Sequence, residues 1–259
     1  MRANYHTHTY RCKHAVGNEE DYVKAAIEKN LSILGFSDHI PYPNDHCTKN
    51  RMNYSEKDEY LKECFRLKER YKDDIEILIG FESEYDEKWH DYYEHIFKED
   101  KIDYLVFGQH HFEVDGKYYD TFNLESTEDY LVYAKTVVKA LETDYFKMFA
   151  HPDVIFINDF PFDDDCKEAI EILIEAIKKK DIIIEFNANG IRRGLKEFCD
   201  GERYAYPHIE FWKRAKEENL KTIISSDCHD PSFMWDQSVE ESYRLAEEFG
   251  LNLVYKLDF

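Results

Sequence analysis

Two textures alternate along the chain. Short apolar or β-branched runs occur at Asn4–His6, Leu31–Phe36, Ile75–Ile79, Tyr104–Phe107, Phe146–Ala150, Ile182–Phe186 and Thr222–Ser225. Between them lie longer charged stretches with apolar positions every third or fourth residue, at Glu19–Lys29, Glu56–Tyr71, Trp89–Glu99, Glu128–Glu142, Asp165–Lys179, Pro207–Glu218 and Gln237–Phe249. The short runs are continuous rather than alternating, which is what strands buried on both faces require, and the periodic stretches are helical. Seven strands, each followed by a helix or a long loop, predict a β/α barrel of the TIM-barrel type rather than an open sheet. A doubly wound sheet would carry a Gly-rich turn after its first strand, and the segment NYHTHTYRC has none. The tail LNLVYKLDF is an eighth strand or a packing segment, and with no linker or repeat in view, residues 1–259 read as one domain.

The residues that follow each strand add chemistry to this pattern. The first strand runs into His6-Thr7-His8 with His14 shortly after, and the second into Ser37-Asp38-His39. The third gives Gly80-Phe81-Glu82, the fourth Gly108-Gln109-His110-His111, and the fifth His151-Pro152-Asp153. The sixth ends Glu185-Phe186-Asn187 and the seventh gives Ser226-Asp227-Cys228-His229. In a barrel the C-terminal strand ends converge on one face, where this fold builds its active sites. Alternate residues of an extended strand point the same way, so His6 and His8 can reach one ion, and Asp227 and His229 repeat the spacing. Imidazole and carboxylate suit Zn, Mn or Fe, and Glu82 can bridge two ions. Seven of the 12 histidines sit just past a strand end or in the first loop, where chance would have scattered them into the helices as well.

Composition limits the partners. A formal charge of -21, from 34 basic and 55 acidic residues, repels a nucleic-acid backbone and leaves no basic stripe, but a small phosphate ester remains acceptable where bound cations reverse the local field. The six cysteines form no C-x-x-C pair, and no apolar run approaches the roughly 18 residues of a membrane span. A cytoplasmic protein without membrane contact is expected; the oligomeric state is open.

With these residues in hand, the chain resembles the polymerase-and-histidinol-phosphatase (PHP) family, in particular its histidinol-phosphate phosphatase branch. The motifs, in order from His6 to His229, are YHTHT with the later His14, FSDH, GFESE, DYLVFGQHH, AHPD, EFNANGIRR and SSDCH. The resemblance implies a distorted barrel of seven β/α units and a site for three divalent ions. It implies that His6, His8, Glu82 and Asp227 hold the first, that Glu82, His110 and His151 hold the second, and that His14, His39 and His229 hold the third. His111 rivals His110, and the seven-residue step from Asp103 favours His110; Glu84 rivals Glu82, and the place directly after Gly80-Phe81 favours Glu82. Cys228 departs from the small residue common in that motif and reads as a buried thiol.

The activity implied is hydrolysis of L-histidinol phosphate to L-histidinol and inorganic phosphate in histidine biosynthesis, by a metal-bridging hydroxide attacking phosphorus. Arg192 and Arg193 are candidates for bidentate phosphate contact, Arg192 favoured. Asp38 is expected to orient His39 or to carry a proton, and Asp153 is a weaker version of the same idea. The alternatives are another small phosphate monoester as substrate, or a non-catalytic metal-binding module, although degeneration should have removed ligands and all nine positions are filled.

Overall fold

The computed structural model describes residues 1–259. The chain runs β1 (Ala3–Asn4), α1 (Glu19–Glu28), β2 (Ile33–His39), α2 (Lys57–Arg70), β3 (Glu76–Ser83), α3 (His90–Lys98) and β4 (Tyr104–Phe107). A hairpin, β5 (His111–Val114) and β6 (Lys117–Asp120), precedes α4 (Glu128–Leu141), β7 (Phe146–Phe149), α5 (Asp164–Lys180), β8 (Ile183–Asn187) and α6 (Ala188–Arg192). A second hairpin, β9 (Lys196–Phe198) and β10 (Gly201–Arg203), leads to α7 (Ile209–Glu217), β11 (Lys221–Ser225), α8 (Gln237–Phe249) and β12 (Asn252–Leu253).

Eight strands form one parallel sheet in the order β1-β2-β3-β4-β7-β8-β11-β12. The sheet curls until its flanks meet. Thr7 forms a parallel bridge with Cys228, the His8 amide donates to the Cys228 carbonyl at 2.9 Å, and the Cys228 amide donates to that of His6 at 3.1 Å. At the other end of β11 the tail inserts as β12, pairing Lys221 with Asn252 and Thr222 with Leu253. The tail is therefore both a strand and a plug. Seven strands close the upper rim, and an eighth wedges the seam open below.

Strand alternation separates two cores. Outward residues such as Leu34, Phe36, Ile77, Ile79 and Phe81 join the large cluster under the helices. Inward residues Ile33, Leu78, Tyr104, Val106, Met148, Ile183 and Ile223 fill the barrel with Tyr5 and Leu257. Tyr104 crosses this interior and donates its hydroxyl to the carbonyls of Tyr5 (2.8 Å) and Phe36 (3.1 Å). It fits because Gly35 faces it; a Cβ there would collide with the Tyr104 hydroxyl. Continued upward, the inward parity delivers His39 from β2, Glu82 from β3 and Glu185 from β8 to the top of the barrel.

β2 and β3 run further than their apolar content predicts. β2 and β3 stay in register from Ile33↔Glu76 to His39↔Glu82, so Ser37, Asp38 and His39 lie within the ladder rather than in a loop. Polar residues continue a strand here because the barrel interior turns polar at its top. Neither hairpin was foreseen, and helix ends shifted by one or two residues. No helix is long and apolar enough to cross a membrane.

Candidate metal centre

Glu82 stands at the middle of the upper face, buried, with imidazoles on all sides. Its Oε2 lies 3.4 Å from His6 Nε2, 3.4 Å from His8 Nε2 and 3.0 Å from His39 Nδ1. Its Oε1 lies 3.0 Å from His151 Nε2 and 3.4 Å from His110 Nε2. Gly108 makes this placement possible, since a Cβ there would run into Glu82 Oε1. Asp227 Oδ1 completes the side nearest the seam, 3.6 Å from His6 Nε2 and 3.4 Å from His8 Nε2. Beyond it, His14 and His229 bring their Nε2 atoms to 3.0 Å, with the His39 ring 5.5 Å from that of His14. His6, His8 and Asp227 thus form one group of close donors, His6, Glu82 and His151 another, and His14, His39 and His229 a third.

The donors are held from behind. Glu185 accepts from His6 Nδ1 (2.8 Å) and from the His151 amide (3.0 Å), and Asn187 Nδ2 donates back to it (2.7 Å). Asn187 and Asn189 also donate to Asp227 Oδ2 at 3.2 and 3.1 Å, which leaves Oδ1 facing the cluster. Two of these donors pay in backbone strain: His151 has φ 33° and Asp227 φ 47°, left-handed values that tend to persist in non-Gly residues where surroundings over-determine them.

Electrostatics favour a cation here. Burial opposes ionisation of Glu82, yet His110, His6 and His39 hold its pKa well below the usual carboxylate range. Burial likewise opposes charge on His6, but Glu185, Asp227 and Glu82 raise its pKa well above 6.5. A nitrogen that binds a proton so firmly is a nitrogen where positive charge is stabilised, and a metal can take the proton's place. In the third group, burial and the neighbouring His8 depress His14 and bring His229 down to about 3, which leaves neutral imidazoles with free lone pairs. His6 Nε2, His8 Nε2 and Asp227 Oδ1 are buried without any hydrogen-bond partner. Three orphaned donors converging on one point fit a divalent ion, because leaving each unpaired costs about 1–3 kcal/mol or more. Their nitrogen and oxygen character suits a transition-series ion.

A cavity of about 450 Å³ opens over this cluster. The nine ligand positions expected from the sequence meet beneath it. Glu84, the rival to Glu82, is instead ion-paired with buried Arg51 (2.7 Å) and stands 3.5 Å behind His110 Nδ1. His111 lines the cavity but turns toward Asp120 and Tyr118.

Two expectations need correction. Asp38 does not contact the His39 ring and is fully buried away from the cavity. Its Oδ2 accepts from the Thr9 amide (3.0 Å) and hydroxyl (2.5 Å), its Oδ1 from the His39 amide (3.0 Å), and its nearest imidazole nitrogen is His8 Nδ1 at 3.8 Å. It shapes the His8–Thr9 turn and stands behind His8 rather than in the cavity lining. Arg192 also lies outside the cavity. It is a strut between α6 and α8, forked onto Asp236 at 2.8 and 3.1 Å, and Asp236 also caps α8. Its neighbour Arg193 lines the cavity, with only its Nε engaged, donating to the Tyr206 hydroxyl at 3.2 Å. Asp153 serves the fold by accepting from the His208 amide (2.6 Å) and Trp212 Nε1 (2.9 Å), and Cys228 is a buried thiol donating to the Asp230 carbonyl (3.0 Å). The Arg51–Glu84 pair, Asn189, Tyr206 and the Asp120–Phe122 rim were not singled out from the sequence; Asn189, two residues past the Asn187 that ends β8, was the signal most open to reading.

A parallel β/α barrel that gathers His, Asp and Glu at its C-terminal strand ends has the layout of a metal-dependent hydrolase. The chain belongs to the PHP domain family, which it matches over residues 4–189. It is 24% identical over 250 residues to a Deinococcus radiodurans protein named "Probable histidinol-phosphatase", with 91% of this chain and 90% of that one covered. It is 22% identical over 255 residues to the histidinol-phosphatase of Bacillus subtilis, covering 86% and 92%. The fold is similar to that of histidinol phosphate phosphatase from Lactococcus lactis, solved with Zn, L-histidinol and phosphate, with a TM-score of 0.71, 16% identity and coverage of 100% and 99%.

Proposed function

We propose that this chain is a metal-dependent phosphatase that hydrolyses L-histidinol phosphate with water to L-histidinol and inorganic phosphate. The observation that carries the reading is the cluster of close His, Asp and Glu donors gathered about Glu82 beneath an open cavity, in a chain whose relatives bear that activity in their names. Three divalent ions, of Zn, Mn or Fe, would be held by His6, His8 and Asp227 with Glu82, by Glu82 with His110 and His151, and by His14, His39 and His229. Such ions supply charge that offsets the phosphoryl oxygens and lower the pKa of water toward about 7.

The chain's own residues do the rest. Arg193 directs its free guanidinium nitrogens to the phosphoryl group, and Tyr206 fixes the angle of approach. Glu185 sets the His6 tautomer by accepting a hydrogen bond from Nδ1–H, which leaves the Nε2 lone pair toward the cluster. A formal net charge of -21 disfavours nucleic acid, and six free cysteines suit a reducing cytoplasm.

Phosphate release is the test. The metal-reconstituted protein is assayed on histidinol phosphate beside a panel of small phosphate monoesters. A marked preference for histidinol phosphate supports the reading; equal low rates on every ester would sink the substrate, and no release from any ester would sink the activity.

A further inference from the structure

Four carboxylates line the cavity: Glu82, Glu84, Asp120 and Asp227. Three are spoken for. Glu82 and Asp227 face the imidazole cluster, and Glu84 is neutralised by Arg51 at 2.7 and 3.1 Å. Asp120, at the end of the hairpin strand β6, is different. Its side chain is 40% exposed, its Oδ1 accepts from the Phe122 amide at 3.0 Å and lies 3.9 Å from His111 Nδ1, and its Oδ2 makes no hydrogen bond. Two residues on, Phe122 lines the same cavity, its ring parallel to that of His110 (5.8 Å, 9°) and 39% exposed. Tyr206, the cavity's other large aromatic outside the histidines, is only 2% exposed and spends its hydroxyl on Arg193. The uncommitted cation, Arg193, follows β8, whereas Asp120 and Phe122 follow β4, with β7 lying between those strands in the sheet. The cavity is thus polarised: anion-seeking on one flank, cation- and ring-seeking on the other.

We propose that Asp120 and Phe122 form the leaving-group subsite, in which the Asp120 carboxylate takes the substrate ammonium and the Phe122 ring stacks on its flat heterocycle. This rests on the substrate reading above and adds the residues that select it. A carboxylate–ammonium hydrogen bond and a ring stack recognise the alcohol portion of the ester and leave the phosphoryl chemistry to the other flank.

The measurement is a preference ratio: kcat/KM on histidinol phosphate divided by kcat/KM on glycerol phosphate, which has neither amine nor ring. Wild type is compared with Asp120→Asn, Asp120→Glu and Phe122→Leu, all metal-loaded. The ratio should fall roughly tenfold or more in Asp120→Asn, and about threefold or more in Phe122→Leu. Asp120→Glu should recover part of the loss, and inhibition by free histidinol should weaken in Asp120→Asn relative to inhibition by inorganic phosphate. If wild type prefers histidinol phosphate but both ratios stay within about twofold of it, a change below the smallest interaction invoked, the subsite is wrong and the substrate reading stands. If wild type shows no preference, both fall together.

Discussion

Glu185 does not line the large cavity, yet it ties two donor histidines together, binding His6 through the ring and His151 through the backbone. Glu185→Gln keeps the shape but trades a carboxylate for an amide beside His6 Nδ1. Metal affinity should drop about 10- to 100-fold, the usual cost of losing such a partner, as read by competition with a chelator; unchanged affinity would remove Glu185 from the site's design. Gly108→Ala makes a different point. Its Cβ displaces Glu82, so bound metal should fall below that of wild type while circular dichroism stays near native. The clustering of these side chains was legible because H-x-H, D-x-H and the strand-end acids carry their chemistry in spacing. Arg192 and Arg193 were not separable that way: successive residues of a helix point about 100° apart, and only the position of Asp236, 44 residues on, decides which one is drawn away from the cavity. Asp38 was misassigned for a related reason. Adjacency to His39 in sequence says nothing of a strand's alternation, which turns the two side chains to opposite faces.

Among elements, α7 carries a pH signal. His208, at its N-terminus, is buried against Phe156 (ring centroids 4.1 Å) and Phe162. Burial first, then Arg203, lowers its pKa to about 4. The folded state therefore keeps it neutral, while the unfolded chain takes up a proton below about pH 6.5. Stability from this group is complete at neutral pH and is lost as pH falls from about 6.5 toward about 4, by at most roughly 3 kcal/mol. His208→Gln should thus lose less melting temperature between pH 7 and pH 5 than wild type; an equal loss would show that other groups set the acid limb. Strands and helices were readable from period and length, because buried parallel strands are apolar throughout. The two hairpins were not, since β5–β6 and β9–β10 are mostly polar and hold few apolar positions.

For the molecule as a whole, the decisive feature is where the barrel closes. The β1–β11 seam rests on few main-chain bonds, at Thr7 and Cys228, together with the Ser226 amide donating to Asn4 Oδ1 at 2.7 Å. Donors from both sides of it, His6 and His8 against Asp227 and His229, meet in the proposed ion sites. Chelation should lower the melting temperature by roughly 5–10 °C, taking free ion near 100 times its dissociation constant as the starting point; a melting curve indifferent to chelator would separate the ions from closure. The ring topology itself was legible, but its weak point was not, because no residue pattern marks which pair of strands will be the last to join.

Ions held across that join, as proposed, would have a consequence for the protein's lifetime. A polypeptide whose hoop is buckled by its cofactor is exposed to proteases whenever the buckle is undone. Starving cells of divalent metal should therefore deplete the protein itself, and restoring the supply would bring activity back only as fast as new chains are made.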